Sequence, residues 1–279
     1  MSPARGRLSV SPTLQEDVLF ELYRRSPGPT ERLPAHTHRE YQLSIGLTAG
    51  NAYEHAEGIW KQPPGKLSVL PPGLRHRPAA PAGHAAEARL LLVYVPAARL
   101  RGVARQVTGG DVPDLDRPVV LDTWAAVQLQ ALHGDLRTGS AVLERDERLM
   151  RVLAALAATR RPPRRDVRGT AAQARAVARA RAYLHEHSVC EVRLEQLGRE
   201  AGLSACHLAR TFTSHTGVPP HAYQLHLRVG RAKALLADGA APAETAARTG
   251  FCDQSHLGRH FRRLVGVTPG AYARGARTS

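Results

Sequence analysis

Cysteine, lysine and acidic residues are all scarce in this 279-residue chain. The three cysteines, Cys190, Cys206 and Cys252, stand far apart, which excludes a disulfide framework and a zinc knuckle. No stretch approaches the ~18 uninterrupted apolar residues of a membrane helix. The N-terminus also lacks the apolar core of a signal peptide. These absences point to a reducing cytoplasm and to no membrane partner. Only 3 of the 39 basic residues are lysine, and 24 residues are acidic, so the formal net charge is +15. The excess is uneven: residues 1–159 carry +3, residues 160–170 carry +4 and residues 171–279 carry +8. A surplus gathered in the C-terminal third is what a polyanion such as nucleic acid would meet there. The length suffices for two domains, each with its own core.

What is present in that basic third is written twice. The run His207-Leu208-Ala209-Arg210-Thr211-Phe212 returns 49 residues later as His256-Leu257-Gly258-Arg259-His260-Phe261. Nine of the seventeen positions 207–223 are identical in 256–272. A repeat at a fixed offset marks a supersecondary unit used twice. Each copy reads as helix, glycine turn, helix. The first has a helix over 194–201, Gly202, Ser204 as N-cap and a second helix to about 216. The second has a helix over 243–249, Gly250, Asp253 as N-cap and a helix to about 265, with one extra residue at the turn. Glycine allows the left-handed turn, and Ser or Asp satisfies the first free amides of the next helix. This is the outline of a helix-turn-helix.

Residues 8–108 show short apolar runs (18–23, 41–47, 66–70 and 90–95) separated by Pro and Gly, the pattern of an antiparallel sandwich or barrel. Two clusters stand within it. His36-Thr37-His38 resembles the first signature of the cupin barrel, and Gly65, Pro71, Gly73 and His76 fit the spacing of the second. A jelly-roll barrel of this type holds a ligand cavity in its mouth. The effector-pocket candidates are therefore His36, His38, Glu40, Gln42 and His76, with Tyr41, Tyr53, Trp60 and Tyr94 as candidate aromatics. Alternation along a strand would put His36, His38, Glu40 and Gln42 on one face. Metal-holding cupins carry a Glu four or five residues after the second His. Here Gln42 and Leu43 stand at that place. A metal-free pocket is expected, with no cofactor; were a metal bound, His36, His38 and His76 would hold it.

From residue 122 the period changes to that of helices. Trp124, Val127, Leu129, Leu132 and Leu136 mark one amphipathic helix, and Leu143, Leu149, Val152, Leu153 and Leu156 mark a second. This pair either completes the first domain or supplies a homodimer seam, and the seam is the favoured expectation. Residues 160–170 hold two prolines and five arginines, a linker that stays wet. The expected division is an effector-binding domain (1–117), a helical pair (118–160), a linker (161–170) and a helical DNA-binding domain (171–279).

The C-terminal text resembles the AraC/XylS family of bacterial transcription regulators over about 80 residues. The likeness rests on Ala201-Gly202-Leu203-Ser204, His207 to Phe212, Leu227-Arg228, and above all Gly250-Phe251-Cys252-Asp253-Gln254-Ser255-His256-Leu257. A cupin, a helical pair and this domain in series is that family's commonest architecture. The resemblance implies an α+β protein: a β-barrel of cupin or jelly-roll type, a helical pair, then an all-α domain with two helix-turn-helix units joined by a helix over 220–237. Two recognition helices would enter successive major grooves of double-stranded DNA. The base-facing positions fall at Ala205, Cys206, Ala209 and Arg210 on the first, and at Gln254, Ser255, Gly258 and Arg259 on the second. Arg pairs bidentately with guanine and Gln with adenine, so Arg210, Gln254 and Arg259 are the main specificity candidates. Arg228, Arg231, Arg262 and Arg263 are expected at phosphates, which adds affinity without sequence information.

The function this implies is a ligand-responsive transcription regulator, not an enzyme, with promoter DNA, a small-molecule effector and RNA polymerase as partners. Two other readings stand beside it: a metal-dependent cupin enzyme with a DNA-targeting tail, and a constitutive DNA-binding protein whose barrel only dimerises. The missing motif-one Glu and the lack of any paired carboxylate or nucleophile set count against the first.

Overall fold

The computed structural model describes residues 7–28, 33–79, 87–110, 112, 115, 118–121, 123–138, 142–158 and 171–277. The expected linker at 161–170 lies outside the described residues. Among the described residues nine strands form two antiparallel sheets. The larger contains β1 (Leu8–Gln15), β2 (Val18–Arg25), β3 (Tyr41–Gly46), β6 (Leu67–Leu70), β8 (Ala88–Val95) and β9 (Val119–Leu121), in the order β1-β2-β8-β3-β6-β9. The smaller contains β4 (Asn51–His55), β5 (Gly58–Gln62) and β7 (His76–Pro78), in the order β5-β4-β7.

The run Leu90 to Val95 is continuously apolar because both faces of the large sheet are covered. Val18, Phe20, Leu43, Ile45, Leu91 and Val93 point to one core. Their strand neighbours Leu19, Tyr23, Leu92 and Tyr94 point to another. The first face is covered by α1 (Ala97–Thr108), α2 (Thr123–Thr138) and α3 (Val142–Ala157), with Leu129, Leu132, Leu149, Val152, Leu153 and Leu156 fully buried. Each such side chain contributes about 1.5–3 kcal/mol by leaving water. The apolar stripe read as a dimer seam is therefore largely spent on the chain's own sheet. Trp124 and Val127 are the exceptions, at 45% and 51% exposed.

The C-terminal helices are α4 (Ala171–Glu186), α5 (Leu194–Ala201), α6 (Ala205–Thr216), α7 (Pro220–Ala237), α8 (Pro242–Arg248), α9 (Gln254–Val265) and α10 (Pro269–Arg277), and the second face of the sheet shares its core with the last four of them. The helix α7 serves two cores. Tyr223 and Leu227 pack with α4, α5 and α6, whereas Val229, Ala232 and Leu236 pack with α8, α9, α10 and the sheet. The repeat persists in three dimensions: Phe212 meets Tyr223 edge-on at 5.4 Å, and Phe261 meets Tyr272 edge-on at 5.2 Å. Among the described residues no helix is long and apolar enough to cross a membrane.

Candidate DNA interface and effector cavity

Each recognition helix starts where a side chain caps it. Ser204 Oγ accepts from the His207 N–H (3.3 Å), and Asp253 Oδ1 accepts from the His256 N–H (2.7 Å). Gly250, at φ +78°, makes the turn of the second unit, and a Cβ there would lie 2.2 Å from the Val189 carbonyl oxygen. Leu208, Phe212, Leu257 and Phe261 bury the inner faces completely. On the outer faces Cys206 and Arg210 are exposed one turn apart, as are Ser255 and Arg259, with Gln254, Arg262 and Arg263 beside them. Ala205, Ala209 and Gly258 are half-buried. None of the arginines 210, 259, 262 and 263 makes a hydrogen bond or ion pair with the described residues, so their guanidinium donors face solvent.

Arg228 and Arg231 are placed differently. Arg228 donates Nε to the Ser188 carbonyl (2.7 Å), Nη1 to Gly250 (2.6 Å) and Nη2 to Cys190 (2.8 Å). Arg231 Nη1 donates to Ser188 Oγ at 2.7 Å. Arg228 thus ties the loop before α5 to the turn of the second unit, with its donors spent inside the fold. Sequence reasoning missed this role, because its partners are main-chain oxygens that leave no trace in residue type.

The second site is a cavity of about 140 Å³ between the two sheets and α7. His36, His38, Glu40, Gln42 and His76 all line it, as do Tyr53 and Tyr94. The stretch 36–40 is not the regular strand expected. His36 forms a single bridge with His76, exchanging N–H to carbonyl bonds of 2.9 and 3.0 Å, and the strand begins only at Tyr41. The bridge brings the two motifs together, with ring centroids of His36 and His76 4.6 Å apart and those of His38 and His76 5.0 Å apart. Gln42 donates to the Tyr53 hydroxyl (3.3 Å), and Glu40 accepts from the Arg39 N–H (3.0 Å). Tyr41 instead packs in the core on the opposite face of the sheet, since alternation turns it away from Gln42. Among the described residues no group of three His, Cys, Asp or Glu side chains is arranged to hold a metal ion.

Burial sets the charges here. Loss of hydration lowers His36 to about 4 and His38 to about 3, and lowers His76 well below its ordinary value. His226, on α7, falls to about 3 for the same reason, and its Nδ1 accepts from the Thr37 N–H at 3.2 Å. All four rings are neutral near pH 7.

Five of the lining residues that sequence reasoning missed come from α7. His226, Val229, Gly230, Lys233 and Ala234 form one wall of the cavity. Lys233 Nζ lies 3.0 Å from Glu21, whose side chain on β2 is wholly buried, and 3.7 Å from the centroid of the Tyr94 ring. Glu21 also accepts from the hydroxyls of Tyr23 (3.1 Å) and of Tyr272 on α10. Two sequence signals pointed there: a lone carboxylate inside the buried run 18–23, and one of the chain's three lysines on the inner face of a helix.

Comparison with known proteins identifies both domains. The model of the AraC-like ligand binding domain matches residues 20–153, and that of a helix-turn-helix domain matches residues 197–275. The uncharacterised regulator YbfI of Bacillus subtilis is 41% identical over 75 residues, 27% of each chain. The transcriptional activator RhaS of Salmonella schwarzengrund is 36% identical over 89 residues, 32% of each chain. The chain thus spans about a third or less of the length of these curated relatives. ToxT of Vibrio cholerae O395 shares the whole fold, with a TM-score of 0.64, 11% identity, and 95% of this chain and 100% of that chain covered. ToxT is also known with an unsaturated fatty acid bound and with a naphthalenyl-butenoic acid bound. The chain belongs to the AraC family, an AraC-like ligand-binding domain joined to a C-terminal helix-turn-helix domain.

Proposed function

We propose that this protein is a cytoplasmic, sequence-specific transcription regulator whose hold on promoter DNA is set by a small molecule in the cavity. One observation carries the regulatory part. The wall formed by His226, Val229, Gly230, Lys233 and Ala234 belongs to α7, the helix that holds both helix-turn-helix units in one body. A ligand in the cavity therefore touches the sheet domain and the DNA-binding domain at once. Any difference in its fit to two settings of α7 becomes a coupling free energy, commonly about 1–3 kcal/mol. The likeness to ToxT, which binds small acids, supports a ligand-gated reading. The regulators among the relatives favour regulation over catalysis.

DNA is met by α6 and α9. Arg210, Gln254, Ser255 and Arg259 read bases, with Ala205, Cys206 and Ala209 in apolar contact. Arg262 and Arg263 meet phosphates, and Arg228 and Arg231 support the backbone from behind. RNA polymerase is the partner that transcription control requires. A homodimer would use the exposed Trp124 and Val127 on α2. The test is anisotropy titration of selected against scrambled duplexes at several salt concentrations. Specific binding tighter by about 10³-fold or more supports the reading. Equal affinity for both duplexes would sink it.

A further inference from the structure

The imidazoles of the cavity carry information that neither DNA binding nor domain coupling uses. In His36, His38 and His76 the Nδ1 atom faces a main-chain carbonyl: Pro34 at 3.2 Å, Glu40 at 2.9 Å and Leu74 at 3.0 Å. A carbonyl only accepts, so each Nδ1 carries the proton. Each neutral ring then presents Nε2 as a bare acceptor. Burial, which disfavours the charged form of all three rings, agrees with this assignment. His38 and His76 are 9% and 1% exposed, and among the described residues their Nε2 atoms are buried without a hydrogen-bond partner, although the Gln42 side chain also acts on the His38 ring. Orphaned buried acceptors are costly, and two of them 5.0 Å apart by ring centroid mark a place where a ligand supplies donors.

We propose that the effector is a neutral hydroxyl compound of about single-ring size, which donates its hydroxyl hydrogens to His38 Nε2 and His76 Nε2. Two neighbouring hydroxyls, as in a catechol, match the pair best. This rests on the reading that the cavity binds an effector, and it names the head group that the cavity selects. The volume of about 140 Å³ is close to that of an engineered apolar cavity of roughly 150 Å³ that takes benzene. The walls beside the imidazoles, Leu19, Leu33, Leu92 and Val229, suit an apolar ring.

Other head groups fit less well. A carboxylate brings only lone pairs to lone pairs at this spot. Lys233, the lining cation whose charge acts on His36 and His38, is already held by Glu21 at 3.0 Å. The other cation in the lining, Arg25, stands six residues beyond Leu19 on β2, roughly 20 Å along the strand. The imidazoles sit at the Leu19 end, where His38 packs on Tyr94, the cross-strand partner of Leu19. Arg25, whose charge acts on Tyr53, can meet a second group of a ligand. An ammonium would have to shed its hydration where burial already disfavours the charged form of His36, His38 and His76.

The test is titration of the full chain with catechol, phenol, methoxybenzene and benzoate, read by calorimetry and by thermal shift. Catechol is expected to bind at least about tenfold more tightly than methoxybenzene, with phenol between them and benzoate weakest. In His76→Phe the catechol advantage should vanish while methoxybenzene still binds. If that variant does not fold, His38→Met is read by the same ratio. Tighter binding of benzoate than of phenol would overturn the head-group assignment and leave the effector cavity standing. Saturable stabilisation by Zn²⁺ that is lost in the His variant would overturn it in favour of a metal site. No saturable binding of any probe, with DNA affinity unchanged by all four, would remove both the assignment and the effector reading.

Discussion

Replacing Lys233 by methionine should destabilise the protein far more than loss of an ordinary ion pair. Glu21 is wholly buried, and the Lys233 side chain is only 10% exposed. Lys233→Met keeps the aliphatic packing and strands the carboxylate. Removing one partner of a buried pair costs about 3–5 kcal/mol, because the remaining charge has no solvent to turn to. Glu21 would still accept from the hydroxyls of Tyr23 and Tyr272, each a bond to a charged group worth about 1.5–3 kcal/mol. The expected loss is therefore near the lower end, about 3 kcal/mol. Glu21→Gln alone strands the ammonium over the Tyr94 ring, which holds it with about 2 kcal/mol when desolvated. The double variant, carrying neither charge, should recover part of the loss, a coupling of roughly 1–3 kcal/mol. Urea unfolding of the four proteins measures the cycle. A cost below about 1 kcal/mol for Lys233→Met, the level of exposed pairs, would refute the buried latch between domains. Strict additivity in the double variant would refute it as well.

Arg259→Ala should lower affinity for a selected duplex by about 1–3 kcal/mol and leave scrambled duplex nearly unaffected. Arg262→Ala should instead weaken both alike and reduce the slope of log K against log salt by about 1, read by anisotropy at four salt concentrations. Gly250→Ala should cost more than about 1–2 kcal/mol in thermal unfolding, since it combines φ +78° with a Cβ 2.2 Å from the Val189 oxygen. Gly258→Ala, on a helix with nothing within 4 Å of the new Cβ, should be neutral or stabilising by about 0.5–1 kcal/mol. Stability should fall as pH drops below about 6.5, the unfolded value, towards the folded value of about 3 for His38. In that window the unfolded chain binds the proton and the folded one does not, so each such ring removes roughly 1.4 kcal/mol per pH unit. His38→Met should flatten the slope between pH 6 and 4, and an unchanged slope would show that His38 is not buried as a neutral ring.

How much of this was legible in the residues depends on the range of the interactions. The helix-turn-helix pair is specified locally, by Gly202 and Gly250 at the turns and Ser204 and Asp253 at the caps, and α7 spans the expected 220–237. The central strands showed as apolar runs. The short or edge strands β1, β4, β5, β7 and β9 did not, because half their residues face solvent or the cavity and carry no sustained pattern. Helix α1 was hidden by its small and charged residues. The histidines of the cavity were readable because both barrel motifs place them. The α7 wall was not, because the contact of Glu21 with Lys233 joins residues more than 200 apart and depends on how the domains pack. The helical pair was read correctly as helices, while its apolar stripe went mainly to the sheet, an alternative that periodicity alone does not distinguish from a dimer seam.

The central claim is that two linked recognition helices read DNA, and selection of bound sequences from random duplexes by the full-length protein tests it most directly. The account predicts an enriched motif of two short blocks about one helical turn, roughly 10 base pairs, apart. Arg210→Ala should blur one block and Arg259→Ala the other. Binding that is salt-sensitive but enriches no motif, in the wild type and in both variants alike, would contradict it.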